Sequence, residues 1–279
     1  MLRAPAFTAC LARVFVTLLL VTPARAAEPL ASLLPGEAMV ERMLRAAKLG
    51  PTDYLIDLGT GDGRIVLAAA RRFGARAHGI DADTTVVALN TQRAQSMGLA
   101  GRASFAKSDA LEADLAKASV VVVSSPVAST AGAPASQLGP RLFALKPGSR
   151  VLALQAGLGE WAPDEVLSVD GRTAYLWVVP ALANGMWQLR LGGPGSRRDD
   201  RLRITQRYQT VAGELLAGGD ALPLTEATLR GDLITFAVSD RRGNVRRFFG
   251  HIQGNRISGT SLAAGGATRK WEAQRMAPR

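Results

Sequence analysis

The chain has 279 residues and a formal net charge of +11, with 47% apolar and 5% aromatic residues. This length and apolar content can fill the cores of about two domains, which excludes an intrinsically disordered chain. A single cysteine, Cys10, excludes an intramolecular disulfide, and the isolated histidines His78 and His251 do not predict a metal site.

Residues 1–26 have the layout of a secretory signal peptide. Arg3 and Arg13 precede an apolar stretch at 14–21, and an Ala-Arg-Ala pattern ends at Ala26. The apolar stretch is shorter than the roughly 20 residues that cross a bilayer. We therefore expect export to the periplasm or medium, cleavage after Ala26 and no transmembrane helix in the mature chain. The alternative is a membrane anchor that carries a cytoplasmic domain.

A helix and then a strand–turn–helix–strand unit follow this segment. Apolar residues recur at helical spacing over 37–48, and a Gly-Pro pair ends that helix. Residues 54–58 form a short apolar run typical of a buried parallel strand, and 64–73 again show helical spacing. Residues 54–83 are thus predicted to form a βαβ unit.

Three glycines at alternate positions, Gly59, Gly61 and Gly63, occupy the turn of this unit. They let the backbone turn sharply and leave no side chain between it and a ligand, although glycine turns also close βαβ units that bind nothing. A dinucleotide fingerprint would have a further glycine where this chain has Arg64. That difference argues against a pyrophosphate site and against a nicotinamide-dependent oxidoreductase.

Carboxylates around the turn indicate the kind of cofactor. Asp57 precedes the first glycine, Asp62 lies within the turn, and Asp81 ends the second strand. An acidic turn favours a cationic ligand, and a carboxylate at the end of the second strand can accept both hydroxyls of a ribose. These residues fit S-adenosylmethionine, which has a ribose, an amino group and a sulfonium but no phosphate.

The sequence D-L-G-T-G-D-G-R-I-V, followed by G-I-D-A-D, resembles motifs I and II of the class I S-adenosylmethionine-dependent methyltransferases. Within that class it is similar to a bacterial group related to the small protein-lysine methyltransferases that modify ATP-synthase c subunits. The resemblance implies N-methylation of a protein lysine, and therefore a protein substrate, with S-adenosylmethionine as the cofactor.

The next elements continue the same domain. A helix over 84–97, with Leu89 among its apolar positions, precedes a strand over 103–106. Asp109 then occupies the position where related methyltransferases place an acid against the adenine amino group; a cap on the following turn is the alternative. The residues implied to bind the cofactor are Asp57, Gly59, Thr60, Gly61, Asp62, Gly63, Asp81, Ala82, Asp109 and Ala110.

Four consecutive valines at 120–123 predict a central strand that ends at Ser124 and Ser125. These serines are candidates for holding a substrate amine, with ordinary turn formation as the alternative, and no catalytic base is evident. The missing Asn-Pro-Pro-Tyr sequence at this point weakens the case for a nucleobase substrate. A strand over 150–154 and a hairpin over 166–179 with an Asp-Gly turn are expected to complete the sheet.

After Pro180 the pattern changes to strands alone. We predict a small antiparallel meander or partly closed barrel, in which Trp271 of the last strand packs against Trp187 of the first. The predicted strands lie at 187–191, 202–208, 233–238, 245–252 and 256–259, with one more around Trp271.

The positive charge is concentrated in this last region. Residues 187–279 contain 16 basic and 8 acidic side chains, whereas residues 27–186 contain 15 of each. Such an excess attracts anionic partners, and an anionic envelope ligand is one interpretation. A solvated β domain without a ligand is the other. Scattered arginines and few aromatics argue against nucleic acid.

Together, these patterns predict a Rossmann-like α/β methyltransferase sheet with an antiparallel terminal hairpin, followed by a small all-β domain. The expected boundaries are a signal peptide at 1–26, a methyltransferase domain at 27–182 and a basic β domain at 186–279. The alternative function is that of an exported envelope-binding protein whose Rossmann-like domain no longer catalyses a reaction.

Overall fold

The computed structural model describes residues 35–124, 135–155, 157–193 and 200–277. The predicted signal peptide, its cleavage point after Ala26 and the candidate Ser125 lie outside these ranges. None of the helices in the described ranges has the length and hydrophobicity that crossing a bilayer requires. Within the same ranges, the His, Cys, Asp and Glu side chains form no cluster suited to a metal ion.

The first part of the described chain alternates helices with strands. Its α-helices are α1 (Glu37–Ala46), α2 (Arg64–Arg72), α3 (Thr84–Ser96) and α4 (Gly139–Phe143), with a 3₁₀ turn at Ala135–Leu138. Its strands are β1 (Tyr54–Leu58), β2 (Arg76–Asp81), β3 (Ala103–Lys107), β4 (Val120–Val123), β5 (Arg150–Leu154), β6 (Glu165–Val169) and β7 (Arg172–Val178).

These seven strands form one sheet in the order β3-β2-β1-β4-β5-β7-β6. The first five are parallel, and β7 runs antiparallel between β5 and β6. The Asp170-Gly171 turn closes the β6–β7 hairpin, with Asp170 at φ 50° and Gly171 at φ 72°. This arrangement confirms the predicted class I methyltransferase sheet and its antiparallel hairpin.

The apolar patterns explain which elements cover the sheet. In α1, the side chains of Met39, Val40, Met43 and Leu44 are buried, as the predicted helical stripe requires. They pack with α2 on one face of the sheet, and all four valines of β4 are buried in the sheet centre. The opposite face is filled by a second cluster that contains Trp161 and Trp177.

The second part of the chain forms a nine-stranded antiparallel sheet in the order β11-β10-β9-β8-β16-β15-β14-β13-β12. The two edge strands, Asp220–Pro223 and Thr225–Arg230, follow one another in the chain with only Leu224 between them, so the sheet nearly closes into a barrel as predicted. Its strands are β8 (Gly185–Leu191), β9 (Arg201–Arg207), β10 (Thr210–Ala217), β11 (Asp220–Pro223), β12 (Thr225–Arg230), β13 (Leu233–Ser239), β14 (Val245–Gln253), β15 (Arg256–Ala263) and β16 (Thr268–Arg275).

The two barrel tryptophans lie in one core, but they do not pack against each other, contrary to the prediction. The first and last strands of the barrel pair, yet Trp271 lies opposite Leu191 and Trp187 lies opposite Arg275. The Trp271 ring contacts an aromatic pair formed by β13 and β14, whereas the guanidinium of Arg275 lies 4.1 Å above the Trp187 ring. The four-residue offset in register separates the two indoles.

The boundary predicted between residues 182 and 186 falls in the segment that joins β7 to β8. It stays a prediction, because side chains from both sheets also pack together. Tyr208, after β9, stacks on Trp161 with ring centroids 6.0 Å apart, and Arg207 pairs with Glu160 at 2.7 Å. The α/β sheet therefore contacts one end of the barrel.

Candidate cofactor site

The glycine turn lies at the point where the strand order of the α/β sheet reverses. β1 pairs with β2 on one side and with β4 on the other, so the connections after β1 and β4 leave in opposite directions. Crevices of this kind, outside the carboxyl ends of parallel strands, are where α/β sheets bind ligands. Gly59 follows β1 and Ser124 follows β4, and both therefore line this crevice.

The turn itself has the backbone conformation that its glycines predict. Gly59, Gly61 and Gly63 have φ of 72°, 54° and 74°, a left-handed region that other residues rarely adopt. The N–H groups of Gly59 and Thr60 both donate to the carbonyl of Ile80 at 2.9 and 3.0 Å. The end of β2 thus holds the turn in place.

The carboxylate of Asp81 is fixed against the turn by two backbone donors. Gly61 N donates to Oδ2 and Asp83 N donates to Oδ1, each at 3.0 Å. Each carboxylate oxygen can accept a second hydrogen bond, and the side chain is only half-buried. Asp81 is consequently oriented to accept two further donors, as the vicinal hydroxyls of a ribose would provide.

Asp57 lies beneath the turn and is completely buried. Its carboxylate accepts hydrogen bonds from Thr60 Oγ1, at 2.8 Å, and from Ser124 Oγ. Burial, and to a smaller extent the charges of Asp81 and Asp62, raise the pKa of Asp57 to about 6, although the two hydrogen bonds lower it. The Asp57 side chain links the glycine turn to the end of β4.

The raised pKa of Asp57 predicts a pH-dependent stability. Because the folded-state pKa lies above the ordinary value of 3.8, Asp57 favours the folded state at acidic pH, and this contribution is lost as the pH rises through about 6. Between about pH 4.5 and pH 7 the loss amounts to about 2 kcal/mol. Asp57→Asn removes the titration, so the difference in unfolding free energy between wild type and variant should change by that amount in urea titrations. A difference that stays constant with pH would contradict the buried carboxylate.

Asp62 does not contribute a bare negative charge to the turn. Arg64 Nε donates to both carboxylate oxygens at 2.9 Å, and the remaining guanidinium nitrogens reach Asp62 Oδ2 and the carbonyl of Pro35. Partial burial acts to raise the pKa of Asp62, but the hydrogen bonds and charge of Arg64 outweigh it and leave the pKa below its ordinary value. The negative charge expected around the turn therefore rests mainly on Asp81 and Asp57.

Asp109 reaches the same edge of the sheet as Asp81. Ser108 N, beside it, donates to the carbonyl of Asp81 at 3.1 Å. Asp109 Oδ1 accepts from Leu111 N at 2.8 Å, so the residue does cap the following turn, while Oδ2 makes no hydrogen bond within the described residues. Ala110 is buried directly after it, and Ala82 is half-buried after Asp81. The assignment of these residues to an adenosine site stays a prediction.

Ser124 is engaged with Asp57 rather than turned freely toward the crevice. Its hydroxyl donates to the Asp57 carboxylate, and its N–H donates to the carbonyl of Leu58 at 3.0 Å. A hydroxyl whose proton is used in this way presents only lone pairs to another group. Ser124 can therefore accept from a substrate amine but has no proton left to donate to it.

Asn90 is a site residue that the sequence patterns did not reveal. Its side chain is 2% exposed, although Asn is rare in cores, and Nδ2 donates to the carbonyl of Gly61 at 2.7 Å. Arg93, one turn later on α3, donates to the carbonyl of Asp62 at 2.7 Å. Leu89, predicted to face the core, is 57% exposed instead. Asn90 and the buried Ala94 are four residues apart and therefore lie on the same face of α3. This spacing is the signal that could have identified the buried face of the helix.

Asn90→Ala is expected to loosen the glycine turn. The variant leaves the Gly61 carbonyl without its buried donor, which costs about 1–3 kcal/mol, and we expect affinity for S-adenosylhomocysteine to fall about tenfold in calorimetric titrations. Thr91→Ala is the matched control, because the neighbouring Thr91 hydroxyl donates to Val87 O of its own helix. Equal affinities for the two variants would show that Asn90 does not support the turn.

The polar groups of this crevice fit S-adenosylmethionine. The oriented Asp81 carboxylate can accept a ribose diol, and the uncompensated charges of Asp57 and Asp81 favour a ligand with a cationic sulfonium. Left-handed glycines keep side chains away from the turn. The crevice offers no lysine or arginine side chain directed at a phosphate among the residues described above, since Arg64 is held by Asp62.

Known proteins resemble this part of the chain. The family model "ANTKMT methyltransferase domain" matches residues 57–165. A protein-lysine N-methyltransferase from Saccharolobus islandicus is 34% identical over 149 residues, which are 51% of this chain and 89% of that protein. A mouse lysine N-methyltransferase named for the C subunit of ATP synthase is 37% identical over 45% of this chain and 47% of its own length.

Among solved structures, an RNA methyltransferase from Salinibacter ruber in complex with S-adenosyl-L-homocysteine is 38% identical, with a TM-score of 0.48. The match covers 52% of this chain and 92% of that one.

Proposed function

The chain belongs to the family of S-adenosylmethionine-dependent protein-lysine N-methyltransferases, and we propose that it methylates the side-chain amine of a lysine in a protein substrate. The methyltransferase activity and the cofactor follow from the family. The lysine acceptor is proposed because the relatives named above carry that activity in their names. The observation that carries the proposal is the Asp81 carboxylate, locked onto the glycine turn at the reversal point of the sheet.

Each proposed site residue has a distinct task. S-adenosylmethionine, when bound, supplies an electrophilic methyl group on its sulfonium. We assign Asp81 to the ribose, and Asp109 and Ala110 to recognition of the adenine. Asp57 tethers the glycine turn to β4 through Thr60 and Ser124. Placement of this kind supplies much of the rate of a transfer reaction.

The acceptor side of the site suits a cation that must lose a proton. A lysine side chain is an ammonium at neutral pH, and its nitrogen attacks only after deprotonation. Ser124 Oγ presents lone pairs beside a carboxylate, so it can accept a hydrogen bond from that ammonium. We assign Ser124 this positioning role.

The proposal can be tested with the full chain and tritiated-methyl S-adenosylmethionine. Poly-lysine, purified ATP synthase c subunit and total RNA are offered in separate reactions, with Asp81→Ala as the negative control. We expect label in a protein acceptor that survives nuclease and yields methyl-lysine on hydrolysis. Label in RNA alone, or the same label with Asp81→Ala, would overturn the proposal.

We also propose that the chain is exported and that its mature form begins at residue 27. The charged start, short apolar stretch and Ala-Arg-Ala ending of residues 1–26 support this. Cell fractionation followed by amino-terminal sequencing tests it. Recovery of an uncut chain in the membrane or cytoplasm would favour an anchored cytoplasmic domain instead.

A further inference from the structure

The barrel has one end that the α/β sheet does not contact through the residues described here. Arg207, at the end of β9, meets the α/β sheet through Glu160, so the start of β9 lies at the opposite end of the barrel. The ends of β8, β10 and β13 and the starts of β9 and β14 meet there. We call this end the barrel mouth. A cavity of about 440 Å³ opens in it.

Apolar side chains form most of the cavity wall. They come from alternate positions of the strands and are Leu189, Leu191, Leu215, Leu222, Val238 and Phe248. Leu189 and Phe248 are 1% exposed and belong to the barrel core. The volume lies within the range of small-molecule sites, roughly 300–1,000 Å³, and barrel mouths are common places for them.

Arg246 points into this cavity. Along β14 the buried residues Phe248 and Ile252 face inward and Arg247 faces solvent, so the alternation places Arg246 on the inner face. It lines the cavity, and within the described strands its guanidinium makes one hydrogen bond, to Ser261 Oγ at 3.2 Å. A guanidinium has five N–H donors and seldom lies in an apolar site without an anion.

The hydrogen bonds of Asp240, which also lines the cavity, are made within its own turn and not to Arg246. Their donors are Arg242 N, Asn244 N and Asn244 Nδ2. Desolvation, and then the charge of Arg269, lower the pKa of Arg246, which means that the site as it stands disfavours the cation.

We propose that the barrel mouth binds a single-chain amphiphile, a long-chain carboxylate whose head pairs with Arg246 and whose tail enters the apolar cavity. The carboxylate supplies the acceptor that the guanidinium lacks, in a geometry that arginine favours. The apolar wall removes the alkyl chain from water. This site is separate from the methyltransferase crevice, because it opens at the end of the barrel away from the α/β sheet.

Calorimetric titration of the full chain with dodecanoate tests the proposal. We expect saturable binding with one site per chain, and about a tenfold loss of affinity in Arg246→Gln, since a charge-assisted pair is removed. Arg247→Gln is the matched control: the adjacent Arg247 faces outward and pairs with Glu226. It should bind dodecanoate like the wild type. Leu215→Trp, which fills the cavity, should abolish binding while thermal unfolding confirms that it folds.

Several outcomes would overturn the proposal. These are no binding of dodecanoate, equal losses in Arg246→Gln and Arg247→Gln, and equal affinity for dodecyltrimethylammonium, whose head carries the opposite charge. Binding only to vesicles of anionic phospholipid would assign the basic surface of the barrel, not its mouth, to the ligand. A parallel titration with S-adenosylhomocysteine reports on the methyltransferase site independently and should be unchanged in all three variants.

Discussion

Asp81→Ala is expected to weaken the binding of S-adenosylhomocysteine by about 100-fold. The variant loses the carboxylate that Gly61 N and Asp83 N hold in place, and with it the proposed acceptor for both ribose hydroxyls. Hydrogen bonds to a charged group contribute about 1.5–3 kcal/mol each, so the loss of two accounts for a change of this size. Calorimetric titration of the purified full chain measures it directly.

The control for this experiment is Asp83→Asn, two residues away. Asp83 Oδ1 accepts from Thr85 N and caps α3, and an asparagine at this position keeps that bond. We expect wild-type affinity from it. If Asp83→Asn weakened binding as much as Asp81→Ala, the effect would come from the shared loop and not from the Asp81 carboxylate.

The strand, glycine turn and helix over residues 54–72 were predictable because every signal in them is local. An apolar run, three glycines at alternate positions and helical spacing occur within a short stretch, and no distant contact changes them. The long α/β alternation and the Asp-Gly hairpin were predictable for the same reason, since their signals are also local in the sequence. The sheet order then follows from the resemblance to class I methyltransferases.

The hydrogen-bond partners of the site were not predictable in this way. The bond from Ser124 to Asp57 spans 67 residues of sequence, and that from Asn90 to Gly61 spans 29. Both depend on the order in which strands and helices pack. Counting charges in the sequence also assigned Asp62 too much of the negative charge around the turn, because the sequence could not show that Arg64 pairs with Asp62.

Three barrel strands, β10, β11 and β12, were missed for a related reason. Gly213 interrupts the apolar alternation of β10, and a side chain there would lie 1.9 Å from Arg203 O on the neighbouring strand. β11 has four residues and ends at Pro223, as suits an edge strand. Close strand contact and edge position both remove the alternation that identifies a strand.

Tyr208→Ala is expected to lower the free energy of unfolding by about 2–3 kcal/mol. The Tyr208 ring stacks on Trp161 at an interplanar angle of 9° and meets the edge of Phe143 at 89°. Each aromatic pair contributes about 0.5–1.5 kcal/mol beyond its buried area, and truncation also leaves a void between the two sheets. Denaturant unfolding followed by tryptophan fluorescence measures the change.

Two controls separate this stacking from the rest of the contact. Tyr208→Phe keeps the ring. The backbone φ of 54°, which is unusual for an L-residue, is equally unfavourable for tyrosine and phenylalanine, so we expect nearly wild-type stability. Glu160→Gln removes the partner of Arg207, a solvent-exposed pair whose attraction water screens, and should have little effect. If Tyr208→Ala cost no more than Glu160→Gln, the aromatic contact would not be what holds the barrel to the α/β sheet. The polar contacts, such as Gln209 Nε2 to Ala162 O at 2.6 Å, would then carry that role.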